Sequence, residues 1–520
     1  MPYDQRKTTL ITIALLLGLF LSSLDQTIVS TAMPTVINQL GGFSYYSWVF
    51  TVYMLASTTM MPIYGKLADL LGRKKVILTG LSLFLAGSAL CGLAGNMSEL
   101  ILFRGIQGLG AGALMPIAMT IVADIYPPDK RGKFMGLLGA VVAISSVFGP
   151  AMGGVIVEHW NWGWIFYMNL PIGLVAFLLL ALAMKESRGT EKRPIDWFGA
   201  VTLSLAIVSL LLALVLSGGG ENAGTGTSYA WNSPEIMGLL GGGATLLALF
   251  LWIETKVKEP IIPLHLFKIR AIAYGNAVGF FMSAGLFGAI VYIPLFVQGV
   301  IGVKSSIAGY ILTPLMLSVT ITSIVGGRLM SKFSYRAILI PSMLLMTFGF
   351  FLLSRITADT TQTEIIIYMI VAGLGMGAVY PTVGTAAQNA VGSSSRGAAT
   401  SSSQFFRSIG GTIGVSVLGS LQAKQMSSGV MELQKEIDLF PSSQLQQVAH
   451  SQALLDPSVR ASLSPEGLIG LQHVFSNALA HVFLGGMMFV GMGLIACFFM
   501  GDARLVEKDI KVQKNISYKN

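Results

Sequence analysis

Charge is what this chain has least of. Only 11% of its 520 residues are Asp, Glu, Lys or Arg, while 53% are hydrophobic. A soluble domain carries roughly 25% charge, so this chain cannot clothe a globule in polar surface. It reads as an all-α integral membrane protein. Cysteine is nearly absent too. Cys91 and Cys497 both lie in apolar stretches, which leaves no disulfide framework and no Cys-rich metal site. No G-x-x-x-x-G-K phosphate loop, His-Cys cluster or nucleophile triad occurs. The chain is therefore expected to be no enzyme, to hold no metal or cofactor, and to draw its energy from a gradient.

Long apolar runs are present in their place. A membrane helix needs about 20 apolar residues. Fourteen stretches qualify: 10–33, 46–65, 76–95, 101–124, 134–157, 164–184, 197–217, 236–254, 272–296, 306–328, 337–354, 364–386, 402–421 and 479–501. The first is longer than a signal h-region and lacks a cleavage site, so it reads as a retained helix. Twenty-six of the 33 Lys and Arg fall in alternate connections and five on the opposite side. Lys and Arg concentrate in cytoplasmic loops, which puts both termini in the cytoplasm. The same asymmetry accounts for the net charge of +9 without a nucleic-acid partner. Loops 218–235 and 422–478 then face outward. Within the second, Ser464-Pro465 reads as a helix start, opening an amphipathic helix that leads into the last span.

An internal repeat sets the architecture. Residues 108–116, GLGAGALMP, return as GLGMGAVYP at 373–381, and Arg131-Gly132 returns at Arg396-Gly397. The chain divides into a six-helix half (1–196), two inserted helices with an outer loop (197–255), a second six-helix half (256–501) and a tail (502–520). Parallel repeats of this kind build transporters whose substrate site lies between the halves.

Residues 65–78, GKLADLLGRKKVIL, form a charged knot between two apolar runs. Gly65 permits close helix approach, and Gly72 suits a tight turn. The basic residues alone fit any cytoplasmic loop, but Asp69 does not. Asp69, Arg73, Asp124 and Arg131 are candidates for a cytoplasmic gate, with Asp69 pairing Arg131. Asp25 lies deep in the first span, where an acid costs about 2.5–3.5 kcal/mol on insertion scales. It should face the bundle interior, with Ser22 one turn back on its face. It can carry a proton, hold a cationic ligand, or form a structural ion pair with Arg104 or Arg407. Arg104 opens span four with Gln107 one turn on; it can bond Asp25 or snorkel to the interface. Ser22, Gln26, Gln107, Gln388 and Asn389 are candidate substrate-pocket residues. In span five, Gly149, Pro150, Gly153 and Gly154 offer a packing face or a hinge, since proline removes a backbone bond. Glu158 lies at the outer mouth, beside Trp160, Trp162 and Trp164, which read as an interfacial aromatic belt.

Several of these motifs resemble one family. G-x-L-a-D-x-x-G-r-k at 65–78 resembles the signature loop of the major facilitator superfamily. LDQTIVSTAMP at 24–34, LILFRGIQGLGAG at 100–112, GPAMGG at 149–154 and WIFYMNLPIG at 164–173 resemble its drug:proton antiporters with fourteen spans; Met33 and Ser145 depart from the usual pattern. The resemblance implies the major facilitator fold and export of hydrophobic, often cationic drugs against protons across the cytoplasmic membrane, by a monomer in the lipid bilayer. It implies that Asp25 is a proton or cation site, Arg104 a proton-coupling residue, and Gly149 and Pro150 part of the outer gate. A carrier of one metabolite on the same fold, and a membrane sensor or scaffold without transport, remain alternatives.

Overall fold

The computed structural model describes residues 4–40, 46–185, 194–218, 229, 231–303, 310–437, 454 and 463–504. Much of the loops 218–235 and 422–478, of the connection 185–196 and of the tail 502–520 lies outside the described residues.

A backbone crossing lipid must satisfy its own hydrogen bonds, and the helix does so within one segment. The described residues form α1 (Gln5–Leu40), α2 (Tyr46–Leu71), α3 (Arg73–Gly92), α4 (Met97–Ile125), α5 (Pro128–His159), α6 (Trp164–Tyr167), α7 (Asn169–Ala183), α8 (Trp197–Gly218) and α9 (Pro234–Glu254). There follow α10 (Arg270–Phe296), α11 (Thr313–Leu329), α12 (Tyr335–Leu353), α13 (Gln362–Gly377), α14 (Val379–Asn389), α15 (Arg396–Ile437) and α16 (Pro465–Phe499). The pairs α6–α7 and α13–α14 each continue one rod across a single-residue break. Among the described residues, ten spans are long and apolar enough to cross a membrane.

Several helices outrun the apolar stretches that announced them. α15 continues through the polar run LQAKQMSSGVMELQKEI, because those residues are mostly good helix formers whatever their polarity. α16 merges the amphipathic helix and the last span into one rod. It starts where Ser464-Pro465 indicated: the Ser464 hydroxyl accepts from the Gly467 N–H at 3.1 Å, with Pro465 at the first turn.

The two six-helix halves have separate apolar cores. One is built from residues of α1 to α7 and the other from α10 to α16. Their glycines repeat in space. A methyl group on Gly108 would strike the Tyr53 carbonyl oxygen, and one on Gly373 would strike that of Leu315. Gly112 lies in the same way on Ser57, and its copy Gly377 on Val319. Small residues thus let α4 seat on α2, and α13–α14 on α11, at backbone distance. α8 and α9 pack on each other, and through Leu203, Ile207 and Phe250 they join Leu55 and Ile63 of α2 and Phe405 of α15. The inserted pair therefore lies along a seam where the halves meet.

Candidate functional site

Two charged clusters stand out, one within the first half and one between the halves. The first is centred on Asp25, which is fully buried, as are Arg104 and Gln107. Arg104 Nη1 donates to Asp25 Oδ2 at 2.5 Å and to Gln107 Oε1 at 2.7 Å. Gln107 Nε2 donates to Asp25 Oδ1 at 2.8 Å. Arg104 Nε donates to the Val49 carbonyl at 3.3 Å. The guanidinium lies over the Tyr53 ring, 4.1 Å from its centroid. α1, α2 and α4 thus each bring a piece, and the one-turn spacing of Arg104 and Gln107 aims both at one carboxylate.

Asn169 completes the cluster, and sequence reasoning passed it over. Its Nδ2 lies 3.4 Å from Asp25 Oδ1 and 2.9 Å from the Ser88 hydroxyl. That hydroxyl donates to the Phe166 carbonyl at 2.9 Å. The available signal was a polar residue in WIFYMNLPIG, an otherwise apolar run. Of the two arginines considered as partners for Asp25, Arg104 holds it and Arg407 does not. Ser22 is half-buried and forms no hydrogen bond with Asp25, while Gln26 is exposed.

A buried ion pair is a net gain only when geometry is good and every remaining donor and acceptor is met. Here the carboxylate receives Arg104, Gln107 and Asn169 together. A cation from solution could reach Asp25 only by displacing Arg104. A proton could do so with far less rearrangement, since it needs no coordination shell of its own.

The second cluster closes the basic end of the bundle. Gly72 has φ 100°, a conformation that only glycine adopts readily, and it turns α2 into α3. The turn brings Arg73 back to Asp69 at 2.7 Å and to Asp124 at 3.2 Å. Arg73 Nη2 also donates to the Ser393 carbonyl in the other half, at 2.8 Å. Asp69 reaches across as well: its two oxygens accept the Gly397 and Ala398 N–H groups at 3.0 and 2.9 Å. Those N–H groups begin α15, where a helix has unmet donors and a positive dipole end. Arg396 pairs with Asp124 at 2.9 Å.

Sequence reasoning paired Asp69 with Arg131. Instead the partners of Asp69 are Arg73, Gly397 and Ala398, and Arg131 Nη1 donates to Asn389 Oδ1 at 2.6 Å. The reason is the seam itself. Gly65 meets Gly397 and Ser401 so closely that a methyl on either glycine would strike the other strand of the contact, so Asp69 arrives beside the α15 N-terminus. Gln388 Nε2 donates to the Met119 carbonyl at 3.1 Å, adding another tie between halves. Asn389 and Gln388 therefore serve as bridges at this closed end.

The remaining candidates lie elsewhere. α5 runs unbroken through Pro150. A methyl on Gly149 would strike Thr27 and one on Gly153 would approach Ile28, whereas Gly154 faces open space. This is a tight α1–α5 seam. Glu158 is exposed. Trp160 and Trp164 are exposed, but Trp162 is buried and meets the Phe166 ring edge-on, so it leaves the proposed belt: the turn after α5 folds it inward.

The model of the family described as the Major Facilitator Superfamily matches residues 15–415. The chain is 41% identical to the "Multidrug transporter protein MdtP" of Bacillus subtilis (strain 168), over 98% of this chain and 96% of that protein. It is 38% identical to "Multidrug resistance protein 3" of the same organism, over 96% of each. Among solved structures, the proton:xylose symporter XylE bound to 6-bromo-6-deoxy-D-glucose matches with a TM-score of 0.59 at 15% identity, covering 96% of each chain; that likeness concerns the fold. By its family match, its relatives and its architecture, the chain belongs to the Major Facilitator Superfamily of multi-pass membrane transporters.

Proposed function

We propose that this transporter exports hydrophobic, often cationic drugs in exchange for protons, by alternating access. The observation that carries the reading is the buried Asp25 carboxylate held by Arg104 in α1–α4. Protonation of Asp25 would release the Arg104 guanidinium, which would then rest on Gln107 and the Tyr53 ring. Deprotonation would draw it back. That exchange couples a proton to a rearrangement of α1 against α4 within the first half. The names of the relatives favour drugs as cargo.

In this reading all fourteen helical rods cross the cytoplasmic membrane, with both termini inside, as the Lys/Arg asymmetry favours. Residues 1–196 and 256–501 rock as units in a monomer, with 197–255 inserted between them. Asp69, Arg73, Asp124 and Arg396 latch the cytoplasmic side in the state described here. The test is dye efflux from vesicles under an imposed pH gradient, at matched protein amounts. Asp25→Asn should lose pH-driven efflux and Asp25→Glu should keep part of it. Efflux by Asp25→Asn at the wild-type rate would sink the mechanism.

A further inference from the structure

The bonds around Asp25 are all of one kind. Arg104 Nη1, Gln107 Nε2 and Asn169 Nδ2 each donate to its carboxylate. An ionised carboxylate only accepts, so this shell suits it. A protonated carboxyl carries an O–H that needs an acceptor of its own, and a buried donor left unmet is costly. Asp25 is fully buried, so the side chains around it are the first source of that acceptor.

Two of the three donors cannot change roles. Arg104 has no acceptor atom. Gln107 has an oxygen, but that oxygen already accepts from Arg104 Nη1 at 2.7 Å and from the Cys91 thiol at 3.6 Å. Turning the Gln107 amide would break the contact on which a released guanidinium rests. Asn169 is different. Its Oδ1 is buried and has no hydrogen-bond partner. Only its Nδ2 is engaged, at 3.4 Å from Asp25 Oδ1 and 2.9 Å from the Ser88 hydroxyl. The first contact is long for a hydrogen bond, so little holds the amide in its present sense. A half-turn of the amide carries Oδ1 to the position facing Asp25. The Ser88 hydroxyl, which donates to the Phe166 carbonyl, can rotate to donate to the turned oxygen. One end of the amide is unmet before the turn and one after it, so the state of Asp25 decides which end faces inward.

We infer that Asn169 is a positioning residue for the proton. Its amide donates to Asp25 while the carboxylate is ionised, and turns to accept the O–H once Asp25 Oδ1 is protonated. One O–H bond forms and only hydrogen bonds break. The inference deepens the proton-exchange reading and rests on it. It gives Asp25 a partner in both states, so that protonation can release Arg104 without stranding the acid. Asn169 opens α7, so the proton also registers there. Cys91 of α3 and Tyr53 of α2 are the other titratable groups around the pair. The Tyr53 hydroxyl is buried and unpartnered too, which makes it the rival acceptor.

The test is infrared difference spectroscopy between low and high pH, on full-length protein in nanodiscs with 13C-labelled asparagine. A carboxyl C=O band at low pH that Asp25→Asn lacks reports the proton on Asp25. In wild type a labelled amide C=O band should move to lower frequency with it. That movement should vanish in Asn169→Leu and in Asp25→Asn, and should persist in Tyr53→Phe. Under an imposed pH gradient, Asn169→Leu should slow dye efflux by roughly tenfold, the scale of one unmet buried group, and Asn169→Gln should recover part of it. A carboxyl band with no amide movement in wild type would overturn the inference, even if Asn169→Leu fails to fold. Movement that survives in Asn169→Leu, or that is lost in Tyr53→Phe, would overturn it as well. A wild type with no Asp25 carboxyl band would overturn the proton reading itself, and this inference with it.

Discussion

Four residues before the glycine run at 108–116 stands Arg104; four residues before its copy at 373–381 stands Met369. Gly108 seats on Tyr53 and Gly373 on Leu315, so Leu315 holds the place of Tyr53. Met369 and Leu315 are as buried as the residues they match. The second half therefore fills with apolar atoms the volume that the first half fills with an ion pair and a ring. Its interior charge, Arg407, stands on a different helix, stacked on the Tyr380 ring and with no carboxylate paired to it among the described residues. The difference teaches that this packing closes without the pair. Replacing buried ion pairs by apolar residues is often neutral or stabilising, so the Asp25–Arg104 pair is better explained by work than by cohesion.

The largest expected effect tests that contrast directly. Arg104→Met leaves Asp25 buried and unpaired, and should cost about 3–5 kcal/mol. Arg407→Met removes a half-buried guanidinium whose Nε and Nη1 have no hydrogen-bond partner, and should stabilise by about 1–3 kcal/mol, the scale of relieving unsatisfied buried donors. Chemical unfolding of the full chain in detergent checks both signs. The double variant Asp25→Asn with Arg104→Met should recover much of the loss. Shifts of the same sign for the two arginines would break the comparison.

A smaller effect concerns the closed end. Burial pushes the Asp69 carboxyl up to about 6, from 3.8, past the opposing pull of Arg73, the Gly397 and Ala398 N–H groups and Lys66. Asp69 lies beyond the apolar stretch 46–65. The closed arrangement thus holds a proton more tightly than a solvated Asp69 does. Its stabilisation by protonation is fully present below about 3.8 and is lost as pH rises through about 6. Probes on Lys75→Cys and Ser394→Cys, both exposed positions, should therefore report more closed molecules at pH 5 than at pH 7. Asp69→Asn should flatten that dependence. The smallest effect belongs to Arg396→Gln: the Arg396–Asp124 pair is partly exposed and such pairs contribute about 0–1 kcal/mol. The same probes should register a slight loss of closure, fading with added salt.

Much of this was legible in the residues, and the gaps have physical causes. Asp25 and the 65–78 loop were visible because charge in an apolar chain is rare and must be compensated. Arg104 and Gln107 followed from their helical spacing. Asn169 was missed because an uncharged amide in a long apolar run carries no mandatory penalty that demands a partner. The Gly397 and Ala398 partners of Asp69 were missed because they are backbone N–H groups, which nearly every residue has. α15 was cut short because polarity was read as the end of a helix, when it marked only the end of an apolar face.

The Asp25–Arg104 contact also has a history within each molecule's synthesis. The two residues are 79 positions apart. At about 5–20 residues per second, Asp25 leaves the ribosome roughly 4–16 s before Arg104 does. During that interval Asp25 travels on a helix with nothing to answer it, and only the emergence of α4 relieves it. The order in which the chain is made thus sets when its first helix can settle for good. A ribosome stalled between α1 and α4 should leave α1 more loosely anchored than one stalled after α4.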